Sequence, residues 1–104
     1  MGFSQGAAMS NLLAFLYPQR IRKTGILAGF VPSGLDGLVA LRPLEGKPFF
    51  VTHGTKDETI SIVHARASIK ILEQAGAQVT YCEDEVGHKV SLTCLRALRD
   101  FLAE

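Results

Sequence analysis

Gly2-Phe3-Ser4-Gln5-Gly6 leaves this chain few ways to fold, because a G-x-S-x-G run that opens directly onto an apolar helix has the form of a nucleophile elbow. In such a turn the serine sits between strand and helix in a strained backbone conformation that pushes its hydroxyl into the open. Glycines are expected two residues before and after it, where a side chain would strike the neighbouring strand or helix. Ala7, Ala8, Met9, Leu12, Leu13, Phe15 and Leu16 follow, small at first and apolar nearly all round, which suits a helix buried on a sheet. Only Met1, Gly2 and Phe3 stand before the serine, although an elbow needs a strand to feed it. The run alone equally describes a small-residue helix start, so its weight rests on whether a base and an orienting acid stand downstream.

The rest of the chain alternates in period. The first helix is expected from about Gln5 to Tyr17, ending before Pro18. Gly25-Ile26-Leu27-Ala28-Gly29-Phe30 is an apolar run too short for a helix, and reads as a strand covered on both faces. Residues 33–47 admit either a short amphipathic helix through Leu35, Leu38, Val39 and Leu41 or a loop, given Gly34, Gly37, Pro43 and Gly46. Pro48-Phe49-Phe50-Val51-Thr52-His53-Gly54 predicts a second strand. A helix N-capped by Ser61 follows, burying Ile62, Ala65, Ile69 and Leu72 and stopping at Gly76. Gln78-Val79-Thr80-Tyr81-Cys82 predicts a third strand, and a last helix from about Ser91 is expected to bury Leu92, Leu95, Leu98 and Leu102 or Phe101. Strands separated by crossover helices pair in parallel, so the pattern is an α/β sheet.

At 104 residues the chain is expected to form a single domain, 1–104, with one modest core. Its 11 basic and 10 acidic residues are interspersed, without the basic stripe that tracks nucleic acid. No segment approaches the ~20 apolar residues of a membrane span. Cys82 and Cys94 lack both C-x-x-C and zinc-ligand spacing; with no secretory signal to favour a disulfide, they are expected as free thiols in a reducing, cytoplasmic setting.

A serine hydroxyl is a weak nucleophile at neutral pH and needs a base within hydrogen-bond reach, itself held by a third group. Asp57 and His88 fall in the loops that follow the second and third predicted strands, where parallel sheets gather functional groups. Asp57 also suits a turn, with Glu58 a solvated neighbour; His88 also suits a surface loop; His53 reads as a packed strand-end residue and His64 as an exposed helical one. The order Ser4, Asp57, His88 is that of the α/β-hydrolase constellation. With Gly29-Phe30-Val31-Pro32, His53-Gly54-Thr55-Lys56-Asp57, Val79-Thr80-Tyr81 and Gly87-His88 beside the elbow, the whole chain resembles the C-terminal half of an α/β-hydrolase of the phospholipase/carboxylesterase group, close also to dienelactone hydrolases.

That resemblance implies a truncated α/β-hydrolase fold with about three parallel strands and crossover helices, lacking the N-terminal strands. It implies Ser4 as nucleophile, His88 as general base and then acid, Asp57 as the group that orients the imidazole, and the Gln5 backbone N–H as an oxyanion donor at a helix N-terminus. A small ester is the expected substrate, with no cofactor and no metal. About five strands precede the elbow in the resembled fold, and a loop among them supplies a second oxyanion N–H. Two functions therefore stand side by side: a carboxylic ester hydrolase working through an acyl-enzyme, and a catalytically silent fragment that persists as an oligomer or binding module. The strand carrying Phe30 is interior in the resembled fold, so an unpaired edge is expected here, covered by homo-oligomerisation as a dimer.

Overall fold

In the computed structural model, which describes residues 1–104, four strands pair in parallel in the spatial order β1-β2-β3-β4. They are β1 (Gly2–Phe3), β2 (Thr24–Leu27), β3 (Pro48–Gly54) and β4 (Gln78–Asp84). Helices α1 (Gln5–Leu16), α2 (Asp36–Val39), α3 (Ile62–Gln74) and α4 (Leu92–Ala103) lie between and after them, with a 3-10 turn at Pro18–Arg20. The register places Ile26 beside Val51 and Val51 beside Tyr81.

β3 is paired along its length with β4 and over four residues with β2, and from Phe49 to Gly54 every residue is buried. Its pleat divides the core: Phe49 and Val51 join the larger apolar cluster with Ala14, Phe15 and Leu72, whereas Phe50 faces Leu98 and Phe101. Helices α1 and α3 therefore cover one face of the sheet and α4 the other. The period-2 alternation of a strand, with both faces apolar, is what demands a helical layer on each side.

The structure refines some of these expectations and overturns others. A fourth strand is present because Gly2 and Phe3 pair with Ile26 and Leu27, leaving Thr24 and Gly25 without a partner on that side. β2 ends at Leu27, short of Phe30: Ala28 turns to a φ of 53°, and its N–H bonds the Thr52 carbonyl at 2.9 Å. Residues 33–47 resolve into the one-turn helix α2 and a series of turns, closed onto the end of α3 by Leu44 N–H to the Ala75 carbonyl at 2.9 Å. The buried stripe of α4 is Cys94, Leu98 and Phe101, while Leu92, Leu95 and Leu102 are exposed.

The expectation of free thiols is also overturned: Cys82 at the end of β4 and Cys94 in the first turn of α4 form a disulfide. Twelve positions apart in sequence, they are brought together because α4 folds back across the strand it follows. The thiol argument for a reducing compartment falls with it. Ser61 caps α3 as anticipated, its Oγ accepting from His64 N–H, and Ser91 caps α4 in the same way, accepting from Cys94 N–H. No helix is long and apolar enough to cross a membrane.

Candidate active site

Ser4 stands at the turn from β1 into α1 with φ 57° and ψ −117°, a backbone region that costs a non-glycine residue on the order of 1–3 kcal/mol. Its N–H bonds the Leu27 carbonyl at 2.8 Å, and its carbonyl accepts from Ala7 and Ala8 at 3.0 and 3.1 Å, so both neighbouring elements hold the strained turn. Gly2 is sterically required, since a Cβ there would overlap the Gly6 carbonyl. Gly6 is not, because a Cβ at that position meets nothing within 4 Å.

Asp57 and His88 reach the serine through the crossing of two loops. A Cβ on Gly54 would overlap the carbonyls of Val86 and Gly87, so glycine at the end of β3 is what lets the β4–α4 loop pass over it. Thr55 N–H to the Asp84 carbonyl (2.9 Å) and Lys56 N–H to the Val86 carbonyl (3.0 Å) then tie the two loops together. The result is a continuous relay. The Ser4 hydroxyl lies 2.9 Å from His88 Nε2, and His88 Nδ1 lies 2.7 Å from Asp57 Oδ2. Donation by the hydroxyl to Nε2 and by Nδ1–H to the carboxylate uses each group once in the neutral imidazole.

The other Asp57 oxygen, Oδ1, accepts the backbone N–H groups of Thr59 and Ile60, both at 2.8 Å. Burial pushes the carboxyl pKa up, but the Ile60 N–H, the His88 imidazole and the Thr59 N–H together outweigh it and leave Asp57 below the ordinary carboxylate value. The contacts expected of a turn residue and those expected of a group that orients His88 thus both occur, one set on each Asp57 oxygen. Glu58 is exposed and outside the relay.

Beside Ser4 opens a cleft of about 480 Å³ walled by Phe3, Gln5, Phe30, Thr59 and Ile60. Phe3 packs its ring 5.0 Å from His88. Phe30 is held at the cleft by its own carbonyl, which accepts from the buried Asn11 side chain at 2.9 Å, and by Val31 N–H to Ser68 Oγ at 2.9 Å. The Gln5 N–H stands at the start of α1, ahead of the first intrahelical bonds, where the helix N-terminus favours negative charge. His64 is exposed and stacks on the far side of Phe30 at 5.2 Å, away from the relay.

Sequence reasoning passed over Phe3, Phe30, Thr59 and Ile60. For Thr59 and Ile60 the available signal is the habit of Asp to bind backbone N–H groups two and three residues on; for the phenylalanines there is none, because aromatic residues at strand ends read as core.

The Phospholipase/Carboxylesterase family model matches residues 1–104. Carboxylesterase SOBER1 of Arabidopsis thaliana is 27% identical over 104 residues, which is 97% of this chain and 45% of that protein. Probable carboxylesterase SOBER1-like of the same plant is 27% identical over 106 residues, covering 99% of this chain and 40% of the relative. A crystal structure of a point variant of SOBER1 superposes with a TM-score of 0.85 at 25% identity, over 98% of this chain and 50% of that one. The Bacillus cereus carboxylesterase superposes at 0.81 with 26% identity, over 98% and 47%. The chain spans about half the length of the relatives it matches.

Proposed function

The chain belongs to the phospholipase/carboxylesterase family, and from that premise we propose that it is a carboxylic ester hydrolase working through an acyl-enzyme on Ser4. The observation that carries this reading is the relay of 2.9 and 2.7 Å from Ser4 through His88 to Asp57. In the first step His88 Nε2 takes the hydroxyl proton as Ser4 Oγ attacks the ester carbonyl. The oxyanion that develops is met by the Gln5 N–H at the positive end of α1. His88 then returns its proton to the departing alcohol. A water, deprotonated by the same imidazole, releases the acid and restores the serine. Asp57 keeps Nδ1 as the donor nitrogen, so that Nε2 is free to accept, and stabilises the imidazolium in between. The cleft at Ser4, bounded by Phe3, Phe30 and Ile60, suits small or short-chain acyl groups.

A second reading is a catalytically silent hydrolase fold that persists as an oligomer or binding module. It is favoured by there being one identified oxyanion donor at Ser4, the Gln5 N–H at the start of α1, where an oxyanion hole ordinarily uses two. Losing one such donor typically lowers kcat by about 10²–10³. Hydrolysis of a short-chain p-nitrophenyl ester by the purified protein beside Ser4→Ala separates the two. Turnover that falls to the uncatalysed background in Ser4→Ala is the expected outcome; identical rates in both proteins overturn the first reading and leave the second.

A further inference from the structure

We propose that His53 is a positioning residue for Asp57, holding the turn from which the carboxylate orients His88. The inference rests on the hydrolase reading for its functional meaning, although its test does not need turnover.

His53 is the penultimate residue of β3 and is only 1% exposed. It shares a sheet face with Phe49 and Val51, both in the larger apolar cluster, so an aliphatic residue would satisfy packing there. Instead the position carries an imidazole whose Nε2 lies 2.7 Å from the Ile60 carbonyl and 3.4 Å from Asp57 Oδ2. Both neighbours are acceptors, so Nε2 holds the proton and donates to the carbonyl while leaning toward the carboxylate. Nδ1 is then the lone-pair nitrogen, and it is buried with no partner. The opposite tautomer would set a lone pair against two oxygens.

Two routes from His53 converge on one carboxylate. The Ile60 peptide is gripped at both ends, its N–H on Asp57 Oδ1 at 2.8 Å and its carbonyl on His53 at 2.7 Å. Fixing Ile60 thereby fixes Oδ1. The same Nε2–H also stands beside Oδ2, the oxygen that accepts from His88 at 2.7 Å. Asp57 is thus prevented from rotating about its side chain, and rotation is what would break the bond to His88 Nδ1. The charged and titratable side chains that face this carboxylate are His53 from β3 and His88 from the β4–α4 loop.

The experiment is nitrogen-15 and proton NMR on the full labelled chain, wild type beside His53→Phe, His53→Gln and His53→Asn. Phenylalanine keeps the ring and removes both nitrogens; glutamine places an amide N–H near the Nε2 position, and asparagine near Nδ1. In wild type, His53 is expected as the Nε2–H tautomer and His88 with a low-field Nδ1–H signal. That His88 signal is expected to broaden away in the Phe and Asn variants and to return in the Gln variant. In parallel, kcat per serine titrated with a fluorophosphonate is expected to fall about tenfold in His53→Phe with KM within about twofold, and to recover in His53→Gln.

An Nδ1–H tautomer for His53 in wild type overturns the proposal, as does an unchanged His88 signal in a folded Phe variant. Should the variants fail to fold, the wild-type tautomer still decides. If Ser4 proves unreactive while the His88 signal still depends on His53, the hydrolase reading fails and this one stands.

Discussion

Ser4 is held by the chain on both sides of it: β2 takes its N–H, α1 takes its carbonyl, and the hydroxyl is left pointing at His88. Asp57 shows the same division of labour across its two oxygens, and its depressed pKa has a consequence for stability. Unfolded, the carboxyl titrates near 3.8; folded, it titrates below that. The ionised form is therefore favoured by folding, its contribution is fully present above the unfolded value, and it fades as pH falls through the folded one. Urea denaturation of wild type beside Asp57→Asn is expected to show a stability advantage at neutral pH that narrows once pH drops below about 3.8. An advantage that stays constant into strong acid would contradict it. Ser4, Asp57 and His88 were legible as candidates because each sits in a short run whose residue types have a chemical reason to be together. His53 was not, since a histidine at a strand end has the same appearance in sequence whether it packs or positions.

At the scale of elements, β3, β4 and the inner face of α3 were legible, whereas the short β1 and the inner face of α4 were not. An apolar run bounded by turn formers defines β3 without knowledge of what covers it. The side of α4 that goes inward depends on where the sheet lies, and the disulfide turns Cys94 toward β4 while Leu92 and Leu95 face out. That cross-link also closes the loop that carries His88. A loop of this size is worth roughly 3 kcal/mol by restriction of the unfolded chain. Urea midpoints with and without reductant are expected to differ accordingly, with faster amide exchange in residues 83–93 of the reduced protein. Coincident midpoints would show that the bond does not restrain the loop.

Across the whole molecule, exposed apolar residues occur on α1, on α3 and on α4, and α1 carries a row of them. Met9, Leu13, Leu16 and Tyr17 line the outer face of α1 at helical spacing and are 46–55% exposed. They lie beside β1, whose two residues leave the buried Thr24 and Gly25 without a partner on that side. A row of that kind is seldom left in water, and we propose that two copies of the chain pair through it. Light scattering during size exclusion is expected to give a dimer mass at micromolar concentration, and Leu13→Glu to shift it toward the monomer. A monodisperse wild-type monomer would refute self-association.

Local chemistry accounts for what could be read from the chain alone. Turn residues, apolar periodicity and the G-x-S-x-G run each act over fewer than a dozen residues, so they yield the α/β class, the Ser61 cap and the loops that hold Ser4, Asp57 and His88. What required the tertiary structure is what depends on distance through space. The crossing of two loops at Gly54, the meeting of Ser4 with His88, and the disulfide across β4 and α4 join residues that are neighbours only once the sheet has formed. Packing and hydrogen bonding between distant segments settle these, and no local propensity carries information about them.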